Sequence, residues 1–309
     1  MLNSKQSFFK ALPMPNTTDL TQRFTLDNLD IRGQVVHLGD AWKRMQAGRN
    51  YPDHVSQHLG HLACVSVLLG GGLKFAGRVS LQLNTVEPGQ TQSTPRAVLD
   101  CTNELGIRGM ARVTAEDAHT GENFSDWVGV GSTAGTLAIS ILQFAQNRMH
   151  QSVVPISGLS VAECFEYYFD QSEQLPTHLW LAANEQGAAA LLLQKLPNAD
   201  LRDADGWARV EQLAASVTDD ELINLPVDRL LSRLFAEEDI RLFDLNPISY
   251  ACKHDREKVN TMLRSLGKTE VEATLAEQGI IEVSDDICNE VYRYEATDVA
   301  ALFADDKNA

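Results

Sequence analysis

The apolar pattern of this 309-residue chain changes near Pro197, and that change limits the folds open to it. Before Pro197, Val79, Leu81 and Leu83 alternate with Ser80 and Gln82, and Leu137, Ile139 and Ile141 recur at every second position. That is the period of a strand with one buried face. After it, Trp207, Val210, Leu213 and Val217 form one stripe, and Val227, Leu230, Leu231, Leu234 and Phe235 form another. Those spacings belong to amphipathic helices. Between the two regions, Asn198 to Gly206 carries Asp200, Asp203 and Asp205, with Leu201 as its one large hydrophobe, which is a linker composition.

The chain therefore divides into parts. Residues 1–22 are polar, contain Pro13 and Pro15, and read as a flexible arm. Residues 23–197 are expected to form an α/β (α+β) core domain, a central sheet flanked by helices. Within it, Arg23–Leu38 looks like a strand pair or one long bent strand. Asp53–Leu69 looks like a buried helix stopped by Gly70, Gly71 and Gly72. Arg96–Thr102 and Ile107–Thr114 suggest a hairpin, and the Gly-, Asp-, Ser- and Thr-rich stretch Ala115–Thr136 suggests a loop. Ser160 and Glu163 are spaced as a capping box before Val161, Cys164, Phe165 and Tyr168, one face of a helix. Thr177–Leu196 is a strand, or a hairpin through Glu185–Gly187.

Residues 198–249 are expected to be a helical linker domain, with a second capping box at Thr218 and Glu221 and with Pro226 in a first helical turn. Residues 250–309 form a small C-terminal unit. Asp255 can cap a helix with Val259, Met262, Leu263 and Leu266, ended by Gly267. A second helix carries Val271 and Leu275 and stops at Gly279. Two strands follow, Ile280–Val283 and Val291–Tyr294, and then a short helix with Val299, Leu302 and Phe303. So small a unit needs a metal, or docking on a neighbour, to be stable.

Charge narrows the partners. The net charge is −16, and residues 201–309 hold 24 acidic against 12 basic residues. Such a surface repels phosphate backbones, so nucleic acid is not an expected partner. The longest apolar stretch, Leu62–Leu73, is about a dozen residues and too short to cross a bilayer. Met1–Thr25 lacks the continuous apolar segment of a signal peptide. A cytoplasmic protein with its five cysteines reduced is the expectation, with no membrane partner.

The most informative constellation is terminal. Cys252-Lys253-His254 has the spacing C-x-H, and Asp285-Asp286-Ile287-Cys288 has D-x-x-C about thirty residues later. Paired ligands on two turns are how small zinc domains surround a tetrahedral ion. Cys252, His254, Asp285 and Cys288 are thus candidate zinc ligands, Asp285 being the poorest match to a structural site. Otherwise the two cysteines are small hydrophobes and His254 is a surface residue. His54, His58 and His61 fall on one helix face, but no Cys or carboxylate accompanies them. Gly129-Val-Gly131-Ser-Thr-Ala-Gly135 lacks both dinucleotide spacing and a Walker lysine, so no nucleotide is expected. Cys164 lies on an apolar helix face, where a structural role is the default. No catalytic constellation is present, and an enzyme is not expected.

Several segments, in this order, resemble the heat-shock protein 33 family: Lys74–Gly77 with Val79–Leu83, Arg108–Val113, Tyr168–Thr177, Leu191–Pro197, Asp220–Pro226, Arg233–Glu238, Asp255–Val259 and Glu277–Glu290. The resemblance covers about residues 22–304 and implies a core domain, a helical linker and a zinc-binding end. It also implies an ATP-independent holding chaperone for unfolding client proteins. In that family four cysteines, C-x-C and C-x-x-C, bind zinc when reduced. Oxidation pairs the neighbours, releases the ion and unfolds the linker. Here Cys252 and Cys288 match the first and fourth positions, while His254 and Asp285 replace the second and third. Neither neighbouring pair can form its disulfide; a bridge between Cys252 and Cys288 would be a different reaction, and the sequence leaves open whether the two sulfurs meet. The expectation is a holdase without the family's redox activation. The rival is a redox-insensitive adaptor for one folded protein, and a homodimer stays open in either case.

Overall fold

The computed structural model describes residues 18–86, 93–114, 117, 123–128, 135–154, 156, 160–252 and 254–304. In chain order the first elements are β1 (Leu20–Leu26), β2 (Ile31–Leu38), α1 (Asp40–Gln46), α2 (Asp53–Gly70), β3 (Gly77–Val86), β4 (Ser93–Thr102), β5 (Gly106–Ala111) and α3 (Phe124–Val128). Next come β6 (Thr136–Gln143), β7 (Arg148–Val154), α4 (Val161–Glu173), β8 (Thr177–Ala183) and β9 (Ala188–Lys195). Helices α5 (Ala199–Arg202), α6 (Gly206–Ala214), α7 (Asp219–Asn224) and α8 (Val227–Leu234) follow, then β10 (Ile240–Pro247) and β11 (Ser249–Tyr250). The chain closes with α9 (Arg256–Leu266), α10 (Lys268–Gln278), β12 (Ile281–Asp285), β13 (Glu290–Tyr294) and α11 (Ala296–Leu302).

Helix α2 organises the core. Leu59, Leu62, Ala63, Cys64, Val65 and Val67 are all fully buried, so apolar side chains point in every direction around its axis. A helix of that kind must be enclosed on all sides. It packs against β8 and β9 on one side and against β3, β4 and β5 on the other. The core is therefore two sheets around a central helix, rather than the expected single sheet flanked by helices. One sheet has the order β10-β1-β2-β9-β8, and the other β11-β5-β4-β3-β6-β7. Every pairing is antiparallel except β11 with β5. Gly60 permits the close approach: a Cβ there would lie 2.5 Å from that of Ala183 on β8.

Strand β9 shows how one sheet serves two cores. Ala188, Ala190 and Leu192 join the cluster around α2. Ala189, Leu191 and Leu193 face the other way, into a cluster with Val210, Ala214, Leu222, Val227, Leu230, Leu231 and Leu234. Alternate side chains of a strand point to opposite faces, so a run that is buried throughout must be covered twice. Helices α6–α8 supply the second cover. Both capping boxes form, at Ser160 with Glu163 and at Thr218 with Glu221. Pro226 lies one residue before α8, as its N-cap.

Several boundaries differ from the sequence reading. Residues 1–17 of the expected arm lie outside the described residues, but residues 20–22 are already strand. Just ahead of them Asp19, buried, accepts backbone N–H bonds from Gly39 and Ala41. The expected loop 115–136 contains α3, whose Phe124 and Trp127 are buried; most of the rest of that stretch lies outside the described residues. Residues 198–249 are not helical throughout. After α8 the chain becomes β10, which pairs with β1, and then β11, which pairs with β5, so it joins both sheets. The C-terminal unit follows its expected order, with Gly267 and Gly279 at positive φ ending α9 and α10. Its core is Val259, Leu263, Val271, Ile281, Tyr292, Tyr294, Val299, Leu302 and Phe303.

Candidate functional site: the helical cover and the terminal knuckle

Two places bring candidate side chains together at a junction between parts of the fold. The first is the seam between the sheet and its helical cover. His178, on β8, stacks on Trp207 of α6 with ring centroids 5.6 Å apart. Its Nδ1 lies 3.4 Å from Glu166 of α4, and its Nε2 lies 3.2 Å from Glu211 of α6. The Glu166 hydrogen bond, with both carboxylates nearby, raises the imidazole pKa despite partial burial. Other ion pairs of the cover, Arg209 with Asp203 and Glu238 and Arg233 with Glu221, are part-exposed and of modest worth. Apolar contact is thus what chiefly fastens the cover.

Two further histidines sit under the cover without charge partners. His37, on β2, contacts the backbone of Leu222 in α7, and burial lowers its pKa to about 4. His61, on α2, lines a cavity of about 240 Å³ with Leu179, Trp180, Val217, Asp219 and Leu222. Burial, with a smaller contribution from His58, lowers its pKa to about 3. His58 itself is buried and stacks on Trp127, 5.8 Å between centroids. On the three-histidine face of α2, His58 therefore belongs to the core and His61 to the seam, and no metal cluster is present among the described residues.

The second place is the terminal knuckle. Cys252 and Cys288 come together across 36 residues as a disulfide, Cα atoms 5.4 Å apart. His254 does not turn toward them. Its Nδ1 lies 2.9 Å from Glu290, and its ring stacks on Tyr292 at 4.6 Å. Asp285 Oδ1 accepts backbone N–H bonds from Ile287 and Cys288, each 3.1 Å, and so shapes the turn. As arranged, the four candidate ligands do not fit a tetrahedral ion. Both sulfurs are bonded to each other, one carboxylate is held by its own turn, and the imidazole faces elsewhere. No group of three or more His, Cys, Asp or Glu among the described residues is placed to hold a metal.

The knuckle is docked on the core. Arg49, between α1 and α2, donates to the carbonyls of Asp286 and Ile287 at 2.5 and 3.1 Å. Asn289 donates to the Ala47 carbonyl at 3.2 Å. On the other side, Ala251 donates its N–H to the Ile107 carbonyl of β5 at 2.7 Å, one residue before Cys252. Arg49 and Asn289 carry no hydrophobic pattern, which is why periodicity in the sequence did not single them out. Cys64, Cys101 and Cys164 are fully buried, and burial pushes the Cys101 thiol up to about 12 and the Cys64 thiol higher still.

Fold and site together define a two-sheet α+β protein with an apolar sheet face under a helical cover and a cysteine knuckle closing its end. The family described as "Hsp33 protein" matches residues 19–295. A 33 kDa chaperonin of Nitrosococcus oceani is 37% identical over 294 residues, 95% of this chain and 97% of that protein. One from Methylobacillus flagellatus is 38% identical over 288 residues, 93% of this chain and 94% of that protein. The crystal structure of the 33 kDa chaperonin (heat shock protein 33 homolog) of Thermotoga maritima shares the fold, with a TM-score of 0.73 at 18% identity over 95% of this chain and all of that one. This chain belongs to the Hsp33 family, a family of chaperones and not of enzymes. No helix among the described residues is long and apolar enough to cross a membrane.

Proposed function

We propose that this chain is an ATP-independent holding chaperone whose client surface is the sheet face beneath α6–α8. The observation that carries this is the second core. Phe24, Leu26, Ile31, Val35, Leu191 and Leu193 form a continuous apolar face, and what closes it is a set of short helices following an acidic linker. A chain segment that finds this face uncovered gains the same burial that the cover gains. Short helices joined by turns open at lower free energy than the sheet under them. The acidic excess of the last third keeps a loaded complex soluble.

Activation by pairing neighbouring cysteines has no counterpart here, because each knuckle strand offers one sulfur. Exposure of the sheet face is governed instead by stability of the cover, so heat or another unfolding stress is the trigger. Zinc stays a proposal for the thiol form alone, with Cys252, His254, Asp285 and Cys288 as its ligands. Light scattering of several unrelated unfolding clients tests the function, using untreated, heated and oxidant-treated protein without ATP. Suppression with all clients in at least one state is expected. No suppression in any state, or protection of one folded partner only, would replace the holdase with the adaptor.

A further inference from the structure

We propose that the cavity between the free edge of β8 and helix α7 binds a small apolar carboxamide, a single ring or short alkyl group carrying one amide. Strand β8 ends its sheet, so one edge of its backbone has no neighbouring strand. Leu179, Trp180 and Leu181, three consecutive residues, all line the cavity. Neighbours on a strand point to opposite faces, so a cavity that touches all three meets the strand along its edge.

The direction of the backbone on that edge is fixed by one hydrogen bond. Leu179 donates its N–H to Glu166 of α4 at 2.8 Å, away from β9. In an antiparallel ladder that direction recurs at every second residue. Leu181 therefore turns its N–H, and Leu179 its carbonyl, to the same open side. Among the described residues neither group has a partner. A carboxamide matches the pair: its carbonyl accepts from Leu181, and its N–H donates to Leu179. Glu166 already seats a carboxylate oxygen on the same edge. It also occupies the position at Leu179 N–H, so an added peptide strand cannot run on along β8. The opening suits a single amide and not a chain.

A second polar group is unmet at the same cavity. His61 lines it from α2, and its Nε2 is enclosed without a hydrogen-bond partner. Burial keeps the ring neutral, so it offers one donor and one acceptor. An enclosed polar atom without a partner is costly, and an amide beside the ring offsets part of that cost. Trp180 and Leu222 supply apolar walls. The volume, about 240 Å³, lies between the about 150 Å³ that holds a benzene ring and the about 300 Å³ of the smallest drug-sized sites. Exposed Asp219 lines the same cavity, and Glu166 stands beside Leu179, so an acid of the same shape is repelled. Val217, between α6 and α7, faces β8 across the space. A bound amide thus bridges sheet and cover, and it stabilises the closed arrangement by mass action.

The test titrates phenylacetamide into the full chain by calorimetry. A dissociation constant below about 1 mM is expected. Phenylacetate, which is charged, and N,N-dimethylphenylacetamide, which lacks the N–H, should each bind at least about tenfold more weakly. With free phenylacetamide at about ten times its dissociation constant, hydrogen exchange in residues 217–224 should slow about tenfold. Val217→Phe fills the cavity from the cover side and should abolish binding in a chain whose melting shows it folded. The three probes are compared on the wild type, so a variant that fails to fold leaves the proposal open to refutation. No binding of phenylacetamide up to about 10 mM would overturn it. So would equal affinity for all three probes, which marks an apolar hole only, unchanged exchange in residues 217–224, or undiminished binding by folded Val217→Phe. None of these readouts needs a client, so the amide site and the holdase reading fail separately.

Discussion

His178 Nε2 stands 3.2 Å from Glu211 Oε1, a contact between a strand of the core sheet and the first long helix of its cover. Glu166 holds the other ring nitrogen, so one imidazole ties α4, β8 and α6 together. Its pKa is raised, first by the Glu166 hydrogen bond. The stabilisation is full below the unfolded value, about 6.5, and is lost as pH rises through the higher folded value. Trp207 fluorescence, sensitive to the stacked imidazolium, should titrate with a midpoint above that of a free histidine. The transition should move down in Glu166→Gln. A midpoint unchanged by that substitution would mean the contact does not hold the proton.

Acid acts on the seam with the opposite sign through His37 and His61. Their folded pKa values, about 4 and about 3, lie below the unfolded value. The unfolded chain therefore takes up protons first, and stability falls as pH drops from about 6.5 toward 4. His178 stays charged over that interval and adds no slope, so the buried pair decides the outcome. Urea midpoints should fall between about pH 6 and about pH 4.5, below the range in which His178 acts with the opposite sign, and the fall should shrink in His37→Gln. A flat profile would count against neutral burial of these rings.

Leu230 is fully buried in the second core. Leu230→Ala should destabilise the cover by about 2–5 kcal/mol, since a cavity adds to the lost transfer energy. Thr218→Ala, which removes a capping oxygen from α7, should cost about 1 kcal/mol. Both should lower the temperature at which client protection begins, Leu230→Ala more. If protection instead declines in step with stability, the sheet face under the cover is not the client surface.

Much of this architecture was legible where local chemistry sets it. Ser160 and Thr218 announce their helices because each side chain accepts from a first-turn backbone N–H that has no carbonyl partner within the helix. Gly267 and Gly279 announce the ends because the chain there takes positive φ. Strand β10 was hidden in a helical reading, since its residues have no fully buried face and its identity comes from pairing with β1, more than 200 residues away. Strand β7 was missed for the same reason: Arg148 to Val153 are exposed and show no alternation. The central position of α2 was written in the unbroken run Leu62–Leu68, but which elements enclose it is a matter of topology. At the knuckle, the spacing brought the four candidate residues near one another without saying that two sulfurs meet and that His254 prefers Glu290.

Metal and disulfide compete for the same two sulfurs. Oxidised protein should carry no zinc by elemental analysis. Reduced protein offered zinc should take up at most one ion per chain, and Cys252→Ser should abolish that uptake. Binding would be weak, because His254 must leave Glu290 and Asp285 must leave the turn amides it accepts from. A chain with its disulfide intact and one tightly held zinc would show that the ion sits elsewhere.

Peroxide should not activate this chaperone, and that expectation follows from where the sulfurs are. Oxidative activation through a C-x-C or C-x-x-C pair replaces metal bonds with a local link and frees the domain around it. Here the product of oxidation runs across the knuckle and joins Cys252, beside the core sheet, to Cys288, in the turn that Arg49 grips. For a loop of this length such a link favours the closed unit by about 3–4 kcal/mol under the chain-entropy account. It cannot at the same time loosen the segment it encloses. The cover is connected to that segment through β10 and β11, so tightening the end gives α6–α8 no reason to leave the sheet. Client protection by peroxide-treated protein should equal or fall below that of the dithiol-treated protein at every temperature. The Cys252→Ser, Cys288→Ser variant should follow the dithiol-treated curve. Strong activation of the wild type by peroxide, absent from the double variant, would show instead that the cross-knuckle bond opens the cover.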